Sequence, residues 1–215
     1  MAVLKKMLIC PYFGELPEWF DKFEWPEGYD YILDTDLEGF KKRVRDKLGI
    51  EFPGTYGSPK VWDYRCALGL LYEEEIKGYD FWGHCDFDVV WGDIEAFMPD
   101  EFLNCLDWYS SHHQYICGCF SLYRNTPKVN KLFMEVVEWE EKMIYPQPNG
   151  WVENEYSRKM ERSNLRFAYT FNQGWPWSID QPQLEKRGKK LFQKINNEWH
   201  EIMLFHFKRF KQWPL

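Results

Sequence analysis

The chain has 215 residues, 45% of them hydrophobic and 28% charged, which is enough for one sizeable core and places it in the soluble globular class. Its net charge of −7 argues against non-specific binding to nucleic acid or to an anionic membrane, both of which need an electropositive face. The charge is uneven: from Leu184 to Leu215 eight Lys or Arg face three acids, a surplus of +5 that leaves −12 for the remainder. A basic tail folded over an acidic site would hold a polyphosphate from both sides, whereas the plain alternative is a solvated basic surface.

Aromatic residues make up 20% of the chain, and core packing is the expected fate of most, with sugar stacking open to the rest. Six cysteines, Cys10, Cys66, Cys85, Cys105, Cys117 and Cys119, show no paired spacing for zinc. Several sit in apolar runs, so Cys117-Gly118-Cys119 reads as strand packing. The apolar stretch before Pro11 is too short for the h-region of a signal peptide, and a reduced, cytoplasmic enzyme with no transmembrane segment is the expectation.

Met7 to Cys10 reads as a first strand that runs into a turn at Pro11-Tyr12-Phe13-Gly14, and Leu16 to Phe23 as a short helix. Tyr31 to Leu33 reads as a second strand ending at Asp34. Leu37, Phe40, Val44 and Leu48 recur at helical spacing with charges between them, which predicts an amphipathic helix stopped by Gly49. Val61 to Ile76 shows the same periodicity and closes at Lys77-Gly78, although Gly69 lies inside it. The apolar run Phe81 to Cys85 then reads as a buried strand that ends in two carboxylates, Asp86 and Asp88. Residues i and i+2 of an extended segment point to one side, so both can present oxygens to one hard divalent cation. Strand ends are also where open α/β sheets bind ligands.

The second half reads as a strand from Tyr115 to Tyr123, a helix from Val129 to Tyr145, and a short strand from Arg166 to Tyr169. Lys190 to Phe207 reads as a hairpin turning at Asn196-Asn197, whose last strand, from Glu201 to Phe207, delivers His206. No repeat or linker divides the chain. The alternation of strands and helices through residue 91 implies one α/β domain with a mostly parallel central sheet, helices on both faces and a small antiparallel hairpin at the end.

Taken in order, Tyr12-Phe13-Gly14, Lys60-Val61-Trp62-Asp63, Gly78-Tyr79-Asp80-Phe81-Trp82-Gly83, Asp86-Phe87-Asp88 and His206-Phe207 resemble the pattern of GT-A glycosyltransferases. The likeness is to small bacterial and phage-type members of uncharacterised families, and it spans nearly the whole chain. It implies a GT-A, Rossmann-like domain over residues 1–215, with a nucleotide-binding half at 1–91 and an acceptor half with the metal-ligand tail at 92–215. It further implies transfer of a sugar from a nucleotide-sugar, a UDP-sugar above all, to a glycan or other hydroxyl acceptor, with Mn²⁺ or Mg²⁺ as cofactor.

Carried over position by position, the resemblance makes Asp86 a contact to the donor and, with Asp88 and His206, a metal ligand. Lys60, Asp63 and Arg65 match donor-binding positions, with helix-surface charge as the alternative. Tyr12 and Asp34 fit contacts to base and ribose, or else are turn residues, and Gly118 fits the close-packed segment beneath the donor sugar, or else a bulge. Lys208 and Lys211 supply positive charge where it develops on the departing diphosphate. Glu153 and Glu155 occupy the place of an acceptor-binding or basic carboxylate, and Glu155 is the preferred candidate. An inverting reaction needs such a base and a retaining one does not. Two alternatives compete: a non-catalytic carbohydrate-binding protein on the same fold, which would use Trp151, Trp175, Trp177 and Trp213, and a haloacid-dehalogenase-like phosphatase. The phosphatase needs a later lysine and a further acidic pair, and Gly92-Asp93 follows the first motif too closely to serve.

Overall fold

The computed structural model describes residues 3–170, 173–174, 183–207 and 214–215. A six-stranded sheet is built from β1 (Lys6–Pro11), β2 (Asp30–Asp34), β3 (Phe81–Cys85), β5 (Trp108–Ser110), β6 (Phe120–Arg124) and β7 (Phe167–Tyr169), in the order β2-β1-β3-β6-β5-β7. β1 pairs in parallel with β2 and β3, and β5 with β7, while β6 runs antiparallel to both of its neighbours. The sheet is therefore mixed, with one reversed strand. β1 shows how it is filled: Met7 and Ile9 enter one apolar cluster and Leu8 and Cys10 the other, the alternation a sheet buried on both faces requires.

Helix α1 (Leu37–Leu48) has the bounds its periodicity predicts. The Asp36 carboxylate accepts from the Gly39 amide at its start, and Gly49, at φ 71°, ends it in the left-handed region that glycine enters without a Cβ penalty. Phe40, Val44 and Leu48 are its buried face. The opposite side of the sheet is covered by short helices at Ile94–Phe97 and Asp100–Leu103, which set Ile94, Met98 and Leu103 against Leu8 and Leu122.

Several long segments differ from expectation. Residues 61–76 do not form one helix: a 3₁₀ segment, Pro59–Ala67, passes into a single α-turn, Leu68–Leu71. Lys60, Val61, Asp63, Tyr64, Cys66 and Ala67 are all buried, with Trp62 left exposed, so this segment is buried over more than one helical face and its path follows its neighbours more than its own helical hydrogen bonds. The expected helix at 129–145 is Pro127–Lys131, then Leu132–Glu135, then Trp139–Ile144, with Glu138 at φ 59° breaking the run after the β-branched Val136-Val137. The expected helix at 16–23 is one 3₁₀ turn, Phe20–Lys22. Strand β6 begins only at Phe120, because the amides of Ile116 and Cys117 donate to the Ser157 and Ser110 hydroxyls and not to a neighbouring strand.

At the C-terminal end, β9 (Leu184–Arg187), β10 (Lys190–Ile195) and β11 (Glu198–Ile202) form an antiparallel meander. Its β10–β11 hairpin turns at Asn196 and Asn197, both at positive φ as the sequence predicts. The strand expected to continue to Phe207 breaks at Met203. A separate β12 (Leu204–His206) joins a small sheet with β4 (Val89–Trp91) and β8 (Gln173–Gly174). Many of the described aromatic residues are packed in or against the core, with Trp82, Trp108 and Trp151 buried. Among the described residues no helix is long and apolar enough to cross a membrane.

Gly69 has a packing reason. The indole of Trp82 lies where its Cβ would be, the Trp82 Nε1–H donates to Asn130 Oδ1 at 2.7 Å, and Asn130 Nδ2 donates back to the Gly69 carbonyl at 3.2 Å. Gly69→Ala is expected to cost about 1–3 kcal/mol by overpacking, read as a lowered urea midpoint with an unchanged slope.

Candidate metal centre

β3 is buried along its whole length, and the chain leaves it at Asp86, whose amide donates to the Cys119 carbonyl at 3.1 Å. Two residues later the Asp88 carbonyl accepts the Phe207 amide at 2.8 Å, and β4 then pairs antiparallel with β12 so that His206 stands opposite Val89. Backbone hydrogen bonds thus fix the register that carries an imidazole from the last strand to the mid-chain carboxylates.

His206 Nε2 lies 3.1 Å from Asp88 Oδ1 and 3.9 Å from Asp86 Oδ2. One potential ligand atom from each of the three residues falls within 4.8 Å of the others, the spacing of donors around a single ion. Among the described residues this is the one such group of three or more. The imidazole nitrogen is buried with no well-aligned hydrogen bond, while both carboxylates keep about a quarter of their side-chain surface. Two hard oxygens and one imidazole suit Mn²⁺ or Mg²⁺, so the residues present fit such an ion. Burial opposes a charge on His206, but the contact with Asp88 and the charges of Asp88 and Asp86 outweigh it and hold its pKa above the ordinary value.

The three residues stand in a cleft of about 680 Å³ at the C-terminal ends of β1 and β3. Arg65 lies in its wall, ion-paired with Asp86. Burial works against the guanidinium charge, and Asp86, followed by Cys117 and Glu153, more than restores it. The space a Cβ on Gly118 would need is taken by the Arg65 guanidinium, so a side chain here would displace Arg65. His84 lies behind this wall. Burial and the Arg65 charge push its pKa down to about 3, so it is neutral, and its Nε2–H donates to the Cys117 carbonyl at 3.0 Å.

The other expected residues divide. Tyr12 lines the cleft, its hydroxyl donating to the Glu15 carbonyl at 2.9 Å. Asp34 does not line it: its carboxylate accepts from Tyr72 Oη at 2.5 Å and from the Asp36 amide at 2.9 Å, as a turn residue does. Lys60 is fully buried, with Nζ donating to Asp63 Oδ2 at 2.7 Å and to the Lys142 and Gln147 carbonyls. Asp63 in turn accepts the amides of Asn149 and Gly150. This pair braces the segment leading to Glu153, and Lys60 itself does not reach the cleft. Lys208 and Lys211, and with them Trp175, Trp177 and Trp213, lie outside the described residues.

Glu153 and Glu155 sit on a π-helical turn, Val152–Tyr156, that separates them. Glu153 lines the cleft, whereas the preferred Glu155 turns toward Lys142, 3.6 Å away. Burial, followed by the Glu153 charge, pushes the Tyr115 hydroxyl up to about 12. The cleft also contains Trp19, Trp62, His112 and Tyr115, which the motifs did not single out. Trp62 is 46% exposed with the Arg65 guanidinium 5.7 Å from its ring, and its place inside Lys60-Val61-Trp62-Asp63 was the one signal available. His112 stacks on Tyr115 at 3.8 Å within a turn, where no periodicity marks a residue.

Two outcomes follow from this geometry. Removing Lys60 leaves Asp63 buried and unpaired, so Lys60→Met is expected to lower stability by about 3–5 kcal/mol in urea unfolding. Metal binding requires neutral His206, so Mn²⁺ affinity should rise with pH past the ordinary histidine value and then level off, and His206→Gln should flatten that rise in calorimetric titrations. In the metal-free protein the sign reverses. Protonated His206 between two carboxylates adds stability that is complete below its unfolded pKa and is lost as pH rises through its higher folded pKa.

No curated protein matches this sequence. The family model that matches is DUF6625, described as a family of unknown function, over residues 31–212, and the chain belongs to that family.

Proposed function

We propose that this protein is a divalent-metal-dependent glycosyltransferase on a GT-A-like fold, moving a sugar from a nucleotide-sugar, most simply a UDP-sugar, to a hydroxyl acceptor. The observation that carries the proposal is the meeting of Asp86, Asp88 and His206 at the mouth of a cleft formed where parallel strands end. That is the position in which an α/β sheet presents ligands, and the donor set is one that holds an ion bridging a diphosphate.

Asp88 and His206 would hold Mn²⁺ or Mg²⁺, with Asp86 shared between the ion and Arg65. A bound divalent ion supplies positive charge to a departing diphosphate. Arg65 adds a second, protein-borne charge at the same wall and fixes the orientation of the Asp86 carboxylate. Tyr12 offers an aromatic face where β1 ends, suited to the nucleoside, and Gly118 lets the Arg65 guanidinium approach the cleft wall closely. Glu153 is the carboxylate of this wall placed to receive an acceptor proton if the reaction inverts. Six cysteines with no disulfide among them suit a reducing, cytoplasmic setting.

The test is a screen of nucleotide-sugars for Mn²⁺-dependent hydrolysis without acceptor, which needs only the donor half of the site. Asp88→Asn is expected to lower that rate by about 10²–10³-fold with an unchanged circular dichroism spectrum. Turnover near the wild-type rate in a folded Asp88→Asn protein would remove the role assigned here. Metal-independent binding of glycans with no hydrolysis would favour a carbohydrate-binding protein instead.

A further inference from the structure

Cys117 and Cys119 are buried in the core cluster as expected, but neither lies in a strand. They lie in the segment before β6, they line the cleft, and their sulfur atoms approach to 2.8 Å. Backbone hydrogen bonds hold them there. The Cys117 amide donates to Ser110 Oγ at 2.8 Å, its carbonyl accepts from His84 Nε2 at 3.0 Å and Ser121 Oγ at 2.9 Å, and the Cys119 carbonyl accepts from the Asp86 amide at 3.1 Å. The intervening Gly118 is turned toward Arg65. A disulfide needs the sulfurs at about 2.05 Å, so less than about 1 Å of approach remains.

We propose that Cys117 and Cys119 form a reversible dithiol–disulfide couple in the cleft wall, with Cys117 the thiol that attacks a hydroperoxide first and Cys119 the resolving thiol. The Cys117 sulfur attacks the peroxide O–O bond: a sulfur–oxygen bond forms, the oxygen–oxygen bond breaks, and the departing alkoxide or hydroxide takes the thiol proton. Cys119 sulfur then attacks Cys117 sulfur. The sulfur–sulfur bond forms, the sulfur–oxygen bond breaks, and water leaves with the Cys119 proton. The two thiols lose two electrons, and the peroxide gains them.

The order of attack follows from the surroundings. Cys117 keeps 6% of its surface on the cleft, whereas Cys119 keeps 1%, so Cys117 is the sulfur a peroxide in the cleft meets first. A cleft-facing thiol beside a resolving thiol is the arrangement found in redox-sensing cysteines. Cys10 and Cys85, on paired strands β1 and β3, also line the cleft, but their sulfur atoms stand 3.4 Å apart, farther than the 2.8 Å between Cys117 and Cys119. The couple needs no nucleotide-sugar, and its closure ties Gly118 more firmly against Arg65.

The experiment treats the full chain with hydrogen peroxide and follows intact mass and non-reducing peptide maps. The expected result is loss of two hydrogens, mapped to one peptide carrying both Cys117 and Cys119 and reversed by dithiothreitol. In Cys119→Ser, with its fold checked by circular dichroism, Cys117 is expected to accumulate sulfenic acid trapped by dimedone. Loss of hydrogens that maps to Cys10 and Cys85 would overturn the proposal. So would wild-type protein that gains oxygen at Cys117 without losing hydrogens, or that does not react at either cysteine.

Discussion

The pairing of β4 with β12 is the constraint on which the candidate site rests. Each of the two strands has three residues, yet their hydrogen bonds, extended by the Phe207 amide on the Asp88 carbonyl, set the one register in which His206 faces the acidic pair. A slip of one residue would turn the imidazole to the other side of the small sheet and leave two carboxylates without their nitrogen partner. The packing behind the pairing reinforces that register. Val90 and Phe205 enter one apolar cluster with Leu191 and Ile202, while Val89, Trp91 and Leu204 enter another with Phe120 and Leu122. Alternation along both strands is satisfied in one register only.

The second organising feature is electrostatic. Asp86, Asp88 and Glu153 gather negative charge at one wall, and the guanidinium of Arg65 sits among them with most of its surface out of water. Such a charge is retained because its partners compensate for desolvation, and it stays where an anionic ligand would meet it. The contrast with Lys60 is instructive. Both basic residues lie on the same 3₁₀ segment, but Lys60 satisfies its ammonium wholly with Asp63 and backbone carbonyls and so holds a wall in place, whereas Arg65 opens onto the cleft.

Much of this was legible in the sequence where local chemistry and tertiary context agree. Helix α1 announced its apolar face, its Asp36 cap and its Gly49 stop; the Asn196-Asn197 turn announced its hairpin; and Asp86 and Asp88 were conspicuous because carboxylates rarely end a buried strand without reason. Legibility failed where context overrode periodicity. Residues 61–76 and 129–145 carry helical spacing, but the first is buried over more than one helical face and the other meets Val136-Val137 and a left-handed Glu138. Residues 115–119 look extended and apolar, yet serine hydroxyls take their amides and draw them out of the sheet. At the site, the choice between Glu153 and Glu155 depended on a π-helical turn that no spacing rule marks. Lys60 and Arg65 were indistinguishable as basic residues near a helix start, because burial rather than sequence separates a brace from a cleft-lining charge.

The ligand set has a consequence for the chain as a whole. Asp88 and His206 are separated by roughly a hundred residues, and bringing the ends of so long a loop together carries a conformational cost that grows slowly with length. An ion held by both would be a removable cross-link across nearly the entire second half of the molecule. Because it would bind the folded chain and find no assembled site in the unfolded one, its chemical potential would enter the folding equilibrium directly. Cation supply would then set how firmly the closing strand stays docked.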